Sequence, residues 1–578
     1  MKSPGTRMAR WRALWLILGV AAFMTFQVGR LVMIQVAQKK SLTAYETSFQ
    51  LKHIVLPASR GEIISANGNV LAMNVPRDQV VAAPHYITNP GQEARQLARY
   101  LPFSYHTLVQ VLSNGSWYAM LDTSVTPHVA AQINKLQLTG ISIIPVTGRL
   151  YPDGTLASQV VGMVGNSGKG LAGIEYQDNR ILAGKAGHWT VRVDPQGQPL
   201  LPWQKAYVPP KAGNTVQLTI DSNIEAAAQK WLKWGVKRAK ATNGTAIVMN
   251  IHTGAVLAMA NWPNFNPNNY AQATPLEVNN YAVQDPFPPG SIFKPVTATA
   301  ALTLGLVTPN TRFYTNGYKI VDGVRINDWN PYGWGWITLT KGLEVSSDQV
   351  FMDVALKVGA TALYHFMNLF QFNHPSNVGL PGDSGDVQIP LSQVNPVDLA
   401  TMGFGQGTAV TAMQMITADN AVANNGVLVQ PHIVKAILSP SGSVIKKTPV
   451  TVESRPTTPV VAKEIQHMMT LEATSGTGVP AQVPGYIIAG KTGTSQKIIN
   501  GKTSNNEFVA SYLGYAPMPH PKFIMLVSIN FNHPVGKLFY GDQVSAPVWS
   551  HIASYIFKYW KIKPYAGPDN GARSGPIP

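Results

Sequence analysis

An α+β fold behind a single N-terminal apolar helix is the architecture this sequence predicts, and three observations predict it. Residues 13–36 form an apolar stretch broken by one charge and long enough to cross a bilayer. Strand-like runs lie at both ends of residues 240–565, with helix-like segments between them. A further stretch, 45–225, carries its own turn and strand signals and has the size of one domain.

From Ala13 to Gly29 there is no charge, and after Arg30 the apolar character resumes through Leu31, Val32, Met33 and Ile34. Lys2, Arg7, Arg10 and Arg12 precede the span, so the positive-inside rule puts residues 1–12 in the cytoplasm and the rest outside. The rival reading is a cleaved signal peptide. The apolar stretch exceeds the usual length of such a segment, and no small-x-small cleavage site follows it cleanly.

Beyond the span, Asn67-Gly68 between apolar residues predicts a hairpin. Gly165-Asn166-Ser167-Gly168-Lys169-Gly170 is a glycine-rich turn; it is no phosphate loop, because the first glycine is misplaced and no Ser or Thr follows the lysine. Strands are predicted over 245–250 and 255–260, joined at Thr253-Gly254. Pro288-Pro289-Gly290 makes a turn from which Ser291 opens a helix ended by Leu304-Gly305. Thr411 and Gln414 form a capping box for a helix that stops before Asn424-Asn425-Gly426. Strands return at 486–491, 509–515 and 523–531, and Pro547 is predicted to start a last helix with Val548, Ile552 and Ile556 on one face. The polar, Gly- and Pro-rich stretch 566–578 reads as a disordered tail.

The chain has 578 residues, and about 45% of them are hydrophobic, enough for a large core. Its net charge of +17 reflects scarce acids, 28, as much as abundant bases, 45. That balance suits anionic lipid or wall polymers, and sparse carboxylates also suit an acidic exterior. Zero cysteines exclude a disulfide framework and a thiolate metal site, and the 13 histidines include no H-E-x-x-H pair, so no metal is expected.

Four short stretches carry the chemistry: Pro289-Gly290-Ser291-Ile292-Phe293-Lys294, Ser346-Ser347-Asp348, Gly403-Phe404-Gly405-Gln406-Gly407, and Lys491-Thr492-Gly493-Thr494. A serine hydroxyl is a weak nucleophile at neutral pH and needs a base against it. On a helix Ser291 and Lys294 sit one turn apart, with the amine within reach of the hydroxyl. For Lys294 to accept a proton near neutrality it needs burial or a neighbouring cation, and Lys491 supplies one. Ser443-Val444-Ile445-Lys446 has the same spacing as the first motif but lies in a polar turn without a helix start. Each motif alone is weak; their occurrence in one order, with K-T-G present once, is what gives them weight.

The set resembles S-x-x-K, S-x-[ND] and K-T-G of the penicillin-binding-protein and serine β-lactamase superfamily. By that resemblance Ser291 is the nucleophile, Lys294 its base and Ser346 the proton shuttle toward the leaving amine. Backbone N–H groups of Ser291 and Thr494 form the oxyanion hole, and Thr492 and Thr494, on either side of Gly493, hold the substrate carboxylate. Asp348 stands where many relatives have asparagine, which leaves open whether Lys294 or Lys491 is the neutral one.

Residues 59–72 resemble the R-G-x-I-x-D-R-N-G-x-x-L-A element of class B penicillin-binding proteins, with Ser65 and Ala66 replacing the usual acid and base, so that a salt bridge typical of relatives is expected to be missing. Arg149-Leu150-Tyr151-Pro152 and Gly170-Leu171-Ala172-Gly173-Ile174-Glu175 are similar to two later elements of the same non-catalytic domain. The resemblance thus implies a pedestal over 45–225 and a transpeptidase domain over 240–565, with no glycosyltransferase domain before them and no PASTA-like repeat after. It implies a peptidoglycan D,D-transpeptidase acting on stem pentapeptides, acylated by β-lactams, single-pass in the cell membrane, without cofactor or nucleic-acid partner, and paired with a SEDS-family glycosyltransferase and other wall-synthesis membrane proteins. A D,D-carboxypeptidase, a β-lactamase and a non-catalytic scaffold remain as alternatives, and the flanking segments point to division or spore-wall synthesis in some places and to elongation in others.

Overall fold

The computed structural model describes residues 5–43, 51–193, 199–385, 387–499, 502–532, 534 and 538–565. The expected disordered tail, 566–578, lies outside them, as do residues 1–4 of the expected cytoplasmic segment. Two units emerge: the described residues up to Ser59 with Gly184–Ala212, and Arg60–Ala183 with the described residues from Gly213 onward.

In the first unit, helix Gly5–Val32 continues through a π-helical turn, Met33–Ala37. Residues Met8–Ala37 are long and apolar enough to cross a membrane, and their large side chains lie bare. The helix starts eight residues before the predicted span, so Arg10 and Arg12 lie on it. The same unit holds an antiparallel sheet of Leu51–Leu56, Gly187–Val193 and Pro199–Val208.

The second unit contains the predicted α+β domain. Its five-stranded antiparallel sheet runs Val256–Trp262, Asn243–Asn250, Phe523–Phe531, Lys502–Ala516, Ala489–Ile499. Side chains alternate across a strand, and here both faces are buried. Ala246, Val248, Met525 and Val527 pack with helices Ser222–Arg238 and Gly541–Tyr559 on one side, while Ile247, Met249, Ile524 and Leu526 belong to a core shared with the central helices on the other. Burial on two faces is why Phe523–Phe531 reads as a nearly continuous apolar run.

Several boundaries differ from expectation: the strand predicted over 509–515 runs Lys502–Ala516, and the one predicted to end at 491 continues to Ile499. The edge strand begins at Ala489 rather than at 486, because Tyr486 stacks on Phe557 at 3.9 Å and bonds the Ile562 carbonyl, which takes it out of the ladder. The last helix begins at Gly541 and encloses Pro547. Proline leaves the carbonyl four residues earlier without its helical donor; Arg238 donates to that Gln543 oxygen at 3.1 Å and fills the gap. Two small antiparallel pairs between Arg312 and Thr338 were not predicted, although Asp322-Gly323 between Val321 and Val324 is a hairpin signal for the inner one.

Residues 60–183 are joined to the catalytic segment by one sheet, in the order Val444–Lys447, Val434–Leu438, Thr215–Leu218, Ile63–Ile64, Val70–Ala82, Ala119–Val125, with Ile141–Leu150 also paired to Val70–Ala82. The Asn67-Gly68 hairpin forms as predicted. Around it Ser65, Asn67 and Asn69 bond one another and Ser222, a neutral network where an ion pair was expected to be missing. The other two elements meet a single carboxylate. Glu175, fully buried, receives Arg60 at 2.6 Å and Arg149 at 2.7 Å.

Removing one member of a buried charge cluster leaves the others uncompensated, which costs about 3–5 kcal/mol. Glu175→Ala is therefore expected to lower unfolding stability by roughly that amount, measured by urea denaturation of the detergent-solubilised protein; a loss below about 1 kcal/mol would assign the cluster no structural weight. Elsewhere burial pushes carboxyl groups up: Glu225 to about 7, and Asp419, neither oxygen of which has a partner, well above its ordinary range. A folded-state pKa above the unfolded value of 4.5 means that stability falls as pH rises from 4.5 toward 7. Glu225→Gln combined with Asp419→Asn is expected to raise Tm at about pH 8 and to leave it nearly unchanged at about pH 4, read by calorimetry; equal gains at both pH values would refute this.

Candidate active site

The nucleophile turn is a 3₁₀ segment, Gly290–Phe293, running into the helix Lys294–Thr303. Side chains three apart eclipse in a 3₁₀ turn, so Ser291 and Lys294 are aligned more closely than the predicted α-helix would make them. Ser291 is partly exposed, and Lys294 is fully buried. Gly290 and Gly405 both hold positive φ, +58° and +80°. Gly290 N donates to Gly405 O at 2.9 Å, and a Cβ on Gly405 would come within 2.2 Å of Gly290 O. Thr297 Oγ1 adds a bond to Gly403 O at 2.9 Å. The fourth sequence stretch thus supports the turn from behind.

Ser346 has φ +58°, a left-handed conformation that costs a non-glycine residue about 1–3 kcal/mol. Its neighbours fix it there. Ser347 caps the helix Asp348–Val358 and donates through Oγ to Asp328 Oδ2 at 2.7 Å, and Gln349 N donates to the same oxygen at 3.0 Å. The strained turn directs both the carbonyl and the hydroxyl of Ser346 at Lys294 Nζ, 2.6 Å and 3.3 Å away. Lys294 also donates to Asp348 Oδ1 at 2.7 Å. Burial pushes the Asp348 carboxyl up, opposed by the Lys294 charge and reinforced by Asp328.

Lys491, Thr492, Gly493 and Thr494 lie on the edge strand Ala489–Ile499. The strand packs on the nucleophile turn: Ser495 Oγ donates to Pro288 O at 2.5 Å, and a Cβ on Gly493 would come within 3.0 Å of Ile292. Lys491 is fully buried and donates to Glu472 Oε1 at 3.3 Å and to Thr492 O at 3.1 Å. Burial brings its pKa down to about 8, against the opposing charge of Glu472 and with Lys294 pushing the same way as burial. Thr492 also turns to Glu472, donating its N–H at 2.9 Å and its hydroxyl at 3.0 Å. Thr494 Oγ1 instead accepts from Gly541 N at 3.1 Å, which leaves its proton free for an acceptor in the cleft. Hydrogen bonds and packing thus bring together the segments that carry all eight candidate residues, whereas Ser443 sits exposed in the turn between Val434–Leu438 and Val444–Lys447.

Sequence reasoning missed Glu472, Asp328 and Thr477. Glu472 had a signal: it shares the apolar face of helix Pro459–Ser475 with Ile465, Met468 and Met469, and a lone acid on such a face requires a partner. Thr477 donates to Glu472 Oε1 at 2.7 Å from the loop after that helix. Asp328 lies in an irregular loop where no periodicity marked it.

Two family models match the chain: the penicillin binding protein transpeptidase domain over residues 244–554, and the penicillin-binding protein dimerisation domain over 55–218. Stage V sporulation protein D of Bacillus subtilis is 29% identical over 555 residues, 95% of this chain and 85% of that protein. Peptidoglycan D,D-transpeptidase FtsI of Escherichia coli is 29% identical over 564 residues, 96% of this chain and 93% of its own. Among solved structures, a peptidoglycan synthetase from Bifidobacterium adolescentis superposes with a TM-score of 0.72 at 26% identity, covering 90% of this chain and 98% of the other. Penicillin binding protein 3 from Mycobacterium tuberculosis, complexed with aztreonam, superposes at 0.68 and 26% identity, over 89% and 98%.

Because Glu472 holds the Lys491 pKa up against burial, Glu472→Gln is expected to move the Lys491 titration below its parent value of about 8. NMR of the protein labelled with ¹³C-lysine, assigned through Lys491→Arg, reads this directly; an unchanged or higher midpoint would remove Glu472 from the site's electrostatics.

Proposed function

Since the chain belongs to the penicillin-binding protein transpeptidase family, as a class B member with a dimerisation domain before the catalytic one, we propose that it is a peptidoglycan D,D-transpeptidase with Ser291 as its nucleophile. The observation that carries the reading is the meeting of Ser291, Lys294, Ser346 and Lys491, from segments up to 200 residues apart, around one strained turn and one edge strand.

Ser291 attacks the carbonyl of the penultimate D-Ala of a stem pentapeptide and gives its proton to Lys294. Backbone N–H groups of Ser291 and Thr494 receive the oxyanion; fixed donors of this kind are worth about 3 kcal/mol each. Lys294 passes the proton through Ser346, whose hydroxyl lies 3.3 Å from the amine, to the departing nitrogen, and the terminal D-Ala leaves. An amine of a neighbouring stem then takes the acyl group. Thr494 holds the substrate carboxylate with its free proton, and Thr492, committed to Glu472, orients the Lys491 cation beside it.

Around this centre we place a pedestal over 45–225, a transpeptidase domain over 240–565, and a membrane span over 13–36 with the N-terminus cytoplasmic. A SEDS-family glycosyltransferase is the expected membrane partner. Division or spore-wall synthesis is the pathway we favour, in keeping with Val483-Pro484-Gly485-Tyr486 and with a sporulation protein among the relatives.

Incubation with benzylpenicillin followed by intact-protein mass spectrometry is expected to give a stable penicilloyl adduct that persists in Ser443→Ala and disappears in Ser291→Ala. Rapid release of the adduct would favour a β-lactamase, and no adduct with the drug left intact would favour the scaffold.

A further inference from the structure

We infer that Asp348 serves as the resting place of the Lys294 proton, so that the pair supplies a neutral amine to Ser291 without losing a proton to solvent. The inference rests on the acyl-transfer reading above. Its basis is the hydrogen-bond count at Nζ. An ammonium has three protons, and Lys294 has three acceptors: Ser346 O at 2.6 Å, Asp348 Oδ1 at 2.7 Å and Ser346 Oγ at 3.3 Å. In that state no lone pair is available to take the Ser291 proton. Of the three acceptors only the carboxylate binds a proton readily.

Burial favours the transfer. Lys294 is fully buried and the Asp348 side chain is 17% exposed, and burial pushes the Asp348 carboxyl up toward its protonated form. The surroundings divide. Lys491 and the N-terminus of helix Asp348–Val358 favour the carboxylate, while Asp328 disfavours it. Of the other charged groups on this helix and its neighbours, Glu472 pairs with Lys491, Asp353 with Lys319, Glu344 with Lys341 and Asp398 with its own helix cap, while Arg312 is exposed on its strand and Lys357 lies in the last turn of the helix, far from Asp348 in its first.

The step balances. The Nζ–H proton moves to the Asp348 carboxylate, and rotation about Cε–Nζ turns the freed lone pair to Ser291. As the Ser291 Oγ–carbonyl bond forms, Lys294 takes the serine proton and the pair holds two. When the scissile C–N bond breaks, one passes through Ser346 to the nitrogen, and the pair returns to one. The neutral and ionic arrangements of the pair contain the same number of protons, so their ratio does not depend on pH until the pair as a whole gains or loses one. With asparagine at 348 the base exists only after Lys294 has lost a proton to water.

The test is the pH dependence of the acylation rate constant of the full-length protein with benzylpenicillin, for the wild type, Asp348→Asn and Asp348→Glu. The wild type is expected to hold a plateau across neutral pH, over the range in which the pair keeps one proton. Asp348→Asn is expected to lose rate about tenfold per pH unit on the acid side of its own midpoint, and Asp348→Glu to retain the plateau. A tenfold-per-unit fall in the wild type, or superposable wild-type and Asp348→Asn profiles, would overturn the inference while leaving Ser291 as nucleophile. Absence of any Ser291-dependent adduct at every pH would remove the acyl-transfer reading and this inference together. Should Asp348→Asn not fold, the slope of the wild-type profile alone decides.

Discussion

Two lysines buried side by side are the constraint on which the rest of this site depends. An isolated ammonium in a protein interior costs several kcal/mol, and two of them repel as well. The protein matches each with a carboxylate from a different element: Lys294 with Asp348 from one helix, Lys491 with Glu472 from another. The result is a buried cluster of paired charges, in which small movements of a proton change the charge on an amine. Chemistry needs that lability, and burial without the carboxylates would not be stable enough to keep it.

Holding the cluster together demands close approach of backbone to backbone. Gly405 touches Gly290, Gly493 touches the nucleophile turn, and Gly541 lies where a Cβ would come within 2.4 Å of Gly493 O. At each contact a side chain would wedge apart the pieces that carry Ser291 and Thr494. The strained turn at Ser346 belongs to the same economy of space, because only the left-handed conformation sends its carbonyl and hydroxyl to one amine. Asp328 and Ser347 secure the turn from behind.

Away from the cleft, residues 60–183 are stabilised by a second charge cluster, in which Arg60, Arg149 and Glu175 tie three sequence elements to one point. The sheet that these residues share with Thr215–Leu218 and Val434–Leu438 then fixes them to the catalytic segment by backbone hydrogen bonds rather than through a linker. Where relatives are expected to use an ion pair near residues 65 and 66, this chain uses the hydroxyl and amide groups of Ser65, Asn67 and Asn69 against Ser222. The substitution keeps the hydrogen bonds and avoids two charges, in line with a chain that has few acids.

Local features were written in the sequence. The apolar N-terminal stretch, the Asn67-Gly68 hairpin, the capping box at Thr411 and the four motifs each depend on residues within one or two turns of each other, and all were legible. So was the chemistry of Ser291 and Lys294, since their spacing places them on one face whether the turn is α or 3₁₀. What the sequence did not contain were partners brought from afar. Glu472 reaches Lys491, Asp328 reaches Ser347 and Arg238 reaches the carbonyl freed by Pro547, across 19 to 305 positions, and no periodicity encodes such meetings. The start of the edge strand likewise moved because Tyr486 found Phe557. Residue type and spacing determine what a group is able to do; only packing decides which charges share its low-dielectric surroundings, and therefore when it does so.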